Sequence, residues 1–116
     1  MFFKRLFKRR EINPFSVTDK AVFRNGDKTL TLHVKADAFT LILGLKRAND
    51  KLAQVKDDST DDEKRDAARM FAATIFGTEQ ADRLMDFYED PLTVIRVCGM
   101  YFNDQLKEKI TKAQKR

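Results

Sequence analysis

The sequence predicts an α+β fold that is predominantly α, in which an N-terminal β-hairpin packs on a bundle of about four helices. First, Asn25-Gly26 follows the apolar pair Val22-Phe23 and precedes a segment in which apolar and polar residues alternate, a pattern typical of a hairpin. Second, apolar residues recur at helical spacing in four later segments, each preceded by a residue type that caps helices. Third, 116 residues suffice for one domain with one modest core.

Residues 1–15 are predicted to be a basic amphipathic segment, and residues 16–116 a single hairpin-plus-helical domain. Within residues 1–10, helical spacing relates the apolar residues Phe2, Phe3, Leu6 and Phe7. The cations Lys4 and Arg5 stand between them, and Lys8, Arg9 and Arg10 follow directly after Phe7. These cations interrupt the apolar stretch, so we do not expect the segment to act as a secretory signal. Asn13-Pro14 is predicted to end it, because proline disfavours helix in the preceding residue.

The hairpin is predicted for residues 16–35. Asn25-Gly26 would occupy the centre of a type I′ turn, which requires positive φ at both central positions. The second strand has one apolar face and one polar face, formed by Leu30, Leu32 and Val34 and by Thr29, Thr31 and His33. An isolated hairpin is only marginally stable in water, so its apolar face must pack on helices or on another chain.

The first two helices have strong start signals. Asp37 is the predicted N-cap of a helix over residues 38–56. Thr60 and Glu63 have the spacing of a capping box, which starts a second helix that ends at Phe76-Gly77. Three acidic residues in its first turn interact favourably with the positive end of the helix dipole.

The last two helices follow closely. The third is predicted for residues 79–89, with Thr78 as its cap. The fourth begins at Asp90-Pro91, a cap followed by proline at the first helical position, and continues to about residue 113. Its basic end suits the negative end of the dipole.

The net charge of +5 is concentrated at the two ends of the chain. Residues 1–10 carry five cations and no anion, and residues 107–116 carry five cations and one anion, which leaves residues 11–106 with a net charge of −4. The isoelectric point of about 9.4 therefore reflects the termini and does not indicate a basic binding face on the domain.

Neither catalytic residues, nor a cofactor, nor a metal ion is expected. Cys98 and His33 are the only residues of their kinds, which excludes an internal disulfide and a His/Cys metal site and favours the reducing cytoplasm. Cys98 lies in an apolar helical run and is predicted to be a buried hydrophobe, while His33 is predicted at the surface. The acidic residues 57–66 lack the glycine and the spacing of a calcium loop, and no glycine cluster indicates a phosphate loop.

The first and fourth helices carry more apolar residues than one buried face needs. Between Leu92 and Phe102 only Thr93, Arg96 and Gly99 are not apolar. A domain of this size can surround one such helix but hardly two, so part of this surface is predicted to contact another chain. The alternative, a central helix wrapped by its own domain, stays open. The candidate protein-binding residues are Phe39, Leu43, Ile95, Met100, Phe102 and Leu106. We expect Gly44 and Gly99 to permit close approach of helices.

A family resemblance rests on the order of the elements along the chain. They are the hairpin over residues 23–32, followed by Phe76-Gly77, Ala81, Leu84, Phe87-Tyr88, Asp90-Pro91-Leu92 and a lysine-rich last helix. Over about residues 20–116, this order resembles the tail assembly chaperones of long-tailed bacteriophages and of prophages of Gram-positive hosts. The resemblance implies a non-enzymatic assembly factor that coats the tape-measure protein, recruits tail-tube subunits and self-associates. It implies no particular binding residue.

Two alternatives to an assembly chaperone stay open, and the basic segment supports the first of them. Aromatic residues interleaved with cations suit an anionic membrane surface or a nucleic-acid backbone, which would make the chain a small adaptor. The residues of this candidate binding segment are Phe3, Lys4, Arg5, Phe7, Lys8, Arg9 and Arg10. A structural connector of the virion is the other alternative.

Overall fold

The computed structural model describes residues 15–114. A two-stranded antiparallel sheet precedes the helices. Its elements are β1 Ser16–Asn25, β2 Lys28–Asp37, α1 Ala38–Ala53, α2 Asp61–Phe76, α3 Thr78–Phe87, α4 Pro91–Tyr101, a π-helical turn Phe102–Leu106 and α5 Lys107–Gln114. Because α4, the π-helical turn and α5 follow one another without a break, the hairpin packs against four helical rods. The predicted fold class is confirmed. The predicted basic segment lies outside the described residues except for Phe15.

The hairpin turn differs from the prediction. Asn25 pairs with Lys28, so the two-residue loop is Gly26-Asp27. Gly26 has a φ of 63°, and no residue other than glycine has a positive φ within residues 15–114. A type I′ turn centred on Asn25-Gly26 is therefore wrong, because positive φ only at a first-position glycine is the pattern of a type II′ turn. The Asn25 side chain instead donates a hydrogen bond to the carbonyl of Phe87, over 2.9 Å.

The second strand has the predicted two faces, and a side chain of α3 forms two hydrogen bonds with its backbone. Leu32 and Val34 are fully buried, while Thr31 and His33 are exposed. The Gln80 side chain accepts a hydrogen bond from the His33 N–H at 2.8 Å and donates one to the His33 carbonyl at 2.7 Å. The amide thereby imitates one residue of a neighbouring strand and satisfies both backbone groups of His33.

An aromatic cluster joins the sheet to two helices. Phe23 of β1 packs edge-on against Phe76 of α2, with ring centroids 5.7 Å apart, and Phe76 stacks on Tyr101 of α4 at 5.6 Å. The Tyr101 hydroxyl donates a hydrogen bond to the Asp19 carboxylate at 2.5 Å. Lys109 places its ammonium 3.6 Å from the same carboxylate. The nearly buried Asp19 therefore has both a hydrogen-bond donor and a cation.

Three of the four predicted N-caps are confirmed. The side chains of Asp37, Thr60 and Asp90 each accept a backbone N–H of the first turn, and Thr60 forms the reciprocal capping box with Glu63. The predicted Thr78 cap is wrong. The helix already includes Thr78, and the residue before it, Gly77, caps the helix without a side-chain hydrogen bond.

A π-helical turn displaces the buried face of the last helical rod by one residue. The buried residues are Val94, Cys98 and Tyr101 before this turn, and Leu106, Ile110 and Ala113 from its end onward. A regular α-helix would bring residue 105 into line after Tyr101, but residue 106 takes that place. The N–H of Lys107 bonds to the carbonyl of Phe102, five residues earlier, and this wider turn accommodates the extra residue.

The two helical glycines differ in their surroundings. A Cβ added at Gly44 of α1 would lie 2.7 Å from Cγ2 of Thr74 in α2. Gly44 therefore permits the close approach of two helices, as predicted. A Cβ at Gly99 would have no atom within 4 Å, so the same prediction for Gly99 is wrong within the described chain.

Replacing Gly44 by alanine is expected to lower the free energy of unfolding by about 1 kcal/mol, because overpacking exceeds the gain in helix propensity. The Thr74 side chain cannot rotate away without breaking its 2.8 Å hydrogen bond to the Met70 carbonyl. The matched change Gly99→Ala is expected to raise the free energy of unfolding by about 0.5–1 kcal/mol. Urea denaturation of both variants measures the difference. Equal stability of the two would contradict the close approach, and Thr74→Ser should relieve the Gly44→Ala defect.

Candidate functional site

Large apolar side chains remain exposed on several elements. Among residues 15–114, those more than two-fifths exposed are Val22, Phe39, Leu43, Met70, Leu92 and Met100. Leu43 on α1 and Met100 on α4 are the most exposed, at 62% and 57%. Single exposed apolar residues are normal on protein surfaces, so the arrangement of these side chains decides whether they form a binding surface.

The structure divides the six candidate protein-binding residues into three groups. Phe39, Leu43 and Met100 are exposed, and Ile95 and Phe102 are half-buried against the core. The sixth, Leu106, has 0% exposure, so its prediction as a binding residue is wrong. The π-helical turn is the physical reason, because the displaced helical face carries Leu106 into the core.

Helix α4, the π-helical turn and α5 together form what we call the C-terminal rod. An apolar groove lies between α1, α2 and this rod, and we call it the helix groove. It has a volume of about 380 Å³. Its apolar residues are Ile42, Leu45, Leu52, Phe71, Phe102 and Ile110. Phe71 and Ile110 are buried and form its floor, while the other four are half-buried and form its walls.

The rim of the helix groove is polar and carries positive charge. It consists of the exposed residues Lys46, Asn49, Lys107 and Thr111. Lys46 belongs to α1 and Lys107 to α5, so the two cations stand on different walls. Among the described lining residues there is no Asp or Glu. An apolar floor with a polar rim is the usual anatomy of a protein-binding surface.

A second apolar surface lies on the other side of α4, and we call it the methionine patch. It consists of the apolar residues Val22, Val97 and Met100. They line a concavity of about 390 Å³ together with the exposed polar residues Arg24, Asp104 and Gln105. Met100 and Phe102 are two residues apart in a helix that turns by about 100° per residue, so they point in nearly opposite directions. The C-terminal rod thus contributes to two apolar surfaces.

The start of α1 adds a third apolar feature. Phe39 and Leu43 follow each other at a spacing of four, and Lys46 comes three residues later, on the same side of the helix. Phe15 packs against Phe39, with ring centroids 5.5 Å apart. Since Lys46 also lines the helix groove, the exposed stripe of α1 borders this groove.

The titratable groups with clearly shifted pKa values have structural causes. Burial raises the pKa of the Cys98 thiol to about 12, and this thiol is fully enclosed. Burial is the largest cause that raises the pKa of Tyr101, and the hydrogen bond to Asp19 raises it further. The hydrogen bond from Arg69 lowers the pKa of Asp82, in a surface ion pair that joins α2 to α3. None of these groups lines the helix groove.

The part of the chain that the structure describes has neither a metal-binding cluster nor a membrane-spanning helix. Residues 15–114 hold no group of three or more His, Cys, Asp or Glu side chains placed to bind a metal ion. In the same residues, every helix is too short or too polar to cross a bilayer.

Comparison of the chain with protein-family models, with curated proteins and with solved structures gives no significant match.

Proposed function

We propose that this chain is a non-enzymatic tail assembly chaperone of a long-tailed phage or prophage, which binds tape-measure and tail-tube proteins during tail morphogenesis. The observation that carries the proposal is the placement of apolar surface on two nearly opposite sides of the C-terminal rod, in the helix groove and the methionine patch. The order of elements, a hairpin leading into a small helical domain, supports the same family resemblance.

The proposed mechanism is the covering of apolar surface. A tape-measure protein is long, and its exposed apolar segments would otherwise associate with one another. A chaperone copy that lays its methionine patch or helix groove on such a segment removes apolar area from water, at about 25 cal/mol per Å². Two surfaces on one small domain also allow one copy to contact the client and a second copy at once. Self-association along the client then follows.

Replacing Phe102 or Met100 by aspartate is expected to abolish self-association or client binding, because each change places a charge in one apolar surface. The measurement is gel filtration and pull-down with a fragment of the candidate client, the product of a long helical reading frame beside the gene. Met100 is exposed, so Met100→Asp should keep its circular dichroism spectrum and thermal midpoint. Arg83→Asp, an exposed change on α3, is the control and should behave as wild type.

Unchanged elution and unchanged pull-down by folded Phe102→Asp and Met100→Asp proteins would refute the proposal. Deletion of residues 1–10 separates it from the adaptor alternative. Salt-sensitive binding to anionic vesicles or DNA that disappears with this deletion, combined with a strictly monomeric domain, would assign the function to the basic segment instead.

A further inference from the structure

We propose that the helix groove receives an amphipathic helix of a partner protein whose residues beside the apolar face are Asp and Glu. This inference rests on the proposed function, since it specifies the chemistry of the client segment. The groove has an apolar floor and walls, which suit side chains spaced i, i+3, i+4 and i+7 along a helix. Its volume of about 380 Å³ holds anchoring side chains and leaves the body of such a helix outside.

Charge complementarity carries the choice of an acidic partner. Lys46 and Lys107 are exposed on two walls of the groove, and neither forms an ion pair within residues 15–114. Because the described lining lacks a carboxylate, a partner with acidic flanks meets two unpaired cations and no anion. Such pairs at a rim contribute to partner choice and to the rate of association more than to the final affinity.

The same charges disfavour the chain's own N-terminal segment as the occupant. Residues 1–10 contain apolar residues at helical spacing, but they also carry five cations and no anion. These cations would lie beside Lys46 and Lys107, and juxtaposed like charges oppose binding. A lysine-rich α5 from a second copy meets the same repulsion.

A pair of synthetic peptides of about 16 residues tests the proposal, with leucine at i, i+3, i+4 and i+7 and either glutamate or lysine at the flanking positions. Binding is measured by fluorescence anisotropy with the full chain. We expect the glutamate peptide to bind about tenfold more tightly at low salt, and the advantage to shrink as salt screens the rim. Equal affinity of the two peptides, or preference for the lysine peptide, would overturn the proposal.

Charge reversal locates the site. The double variant Lys46→Glu/Lys107→Glu is expected to lose about tenfold in affinity for the glutamate peptide and to gain for the lysine peptide. Both positions are exposed, so the thermal midpoint should stay close to that of wild type. The control is Lys28→Glu at the hairpin tip, which should leave both affinities unchanged. If the control weakens binding as much as the double variant does, the groove is not the site.

The remaining outcomes separate this inference from the proposed function. If the client fragment binds but the chain binds the glutamate and lysine peptides with equal affinity, the charge inference fails and the chaperone proposal stands. If the glutamate peptide binds in the groove while the chain stays monomeric and binds no client, the chaperone proposal fails instead. Displacement of the peptide by dodecanoate at low micromolar concentration would assign the groove to a lipid and overturn a protein occupant.

Discussion

Replacing Leu106 by alanine is expected to lower the free energy of unfolding by about 2–5 kcal/mol, the usual range for a fully buried leucine. The Leu106 side chain has no exposed surface, and it begins the buried face that Ile110 and Ala113 continue. The matched change Met100→Ala, on the exposed side of the same rod, is expected to stay within about 0.5 kcal/mol of wild type. Urea denaturation followed by circular dichroism measures both values.

The comparison also tests the π-helical turn. In a rod without it, the face after Tyr101 would continue through Gln105, and Leu106 would point toward solvent. A Leu106→Ala protein that unfolds with wild-type free energy but associates more weakly would therefore show that this turn is absent and that Leu106 belongs to a binding surface.

Raising the pH above about 9 is expected to destabilise the fold, through Cys98 first. Burial raises the pKa of this thiol from an ordinary value of 9.0 to about 12. The unfolded chain loses the proton from about pH 9 upward, while the folded chain keeps it until about pH 12. The unfolded state therefore binds fewer protons in this window, and stability falls with rising pH by about 1.4 kcal/mol per unit. Above pH 10 the raised pKa of Tyr101 acts in the same direction.

Cys98→Ala isolates the contribution of the thiol. The variant loses some packing at every pH. Between pH 9 and pH 12 its free energy of unfolding should fall with pH less steeply than that of wild type, and the difference between the two slopes should be about 1.4 kcal/mol per pH unit. Denaturant titrations at half-unit steps of pH give the two slopes. Parallel slopes would mean that the thiol ionises in the folded state near its ordinary pKa, and hence that Cys98 is not enclosed.

Much of the fold was predictable because local interactions determine it. The Thr60-Glu63 capping box and the Asp37 and Asp90 caps each involve residues within one turn, so their spacing in sequence is sufficient. The alternation in β2 likewise indicates which side chains the sheet buries. Cys98 was predicted to be buried from its apolar neighbours, and the structure confirms it.

The features that were missed depend on contacts distant in sequence. Residues 102–106, which form the π-helical turn, include no glycine or proline that would indicate it in the sequence. The displacement is visible only from Leu106 and Ile110, which belong to the buried core. The turn at Gly26-Asp27 follows from the pairing of Asn25 with Lys28, which the dipeptide Asn-Gly alone does not fix. The Thr78 cap failed because α3 already begins at Thr78, directly after Gly77.

The helix groove also depends on contacts that are distant in sequence, and most of it was not predicted. Of its apolar residues, only Phe102 was among the six predicted binding residues. Ile42, Leu45 and Leu52 have the spacing of an ordinary buried stripe, and they line an open groove only because α1 and the C-terminal rod do not close on each other. No signal in a single sequence gives that separation. In contrast, the exposure of Phe39, Leu43 and Met100 agrees with the surplus of apolar residues on two helices.

Sedimentation velocity of the purified chain over a wide concentration range, alone and with the candidate client fragment, tests whether the uncovered apolar surfaces bind protein. One copy has a mass of 13.5 kDa. We predict that the average mass rises above this value with concentration, and that a larger complex forms with the client. A mass that stays at 13.5 kDa at every concentration, with no complex formed, would contradict the proposed function.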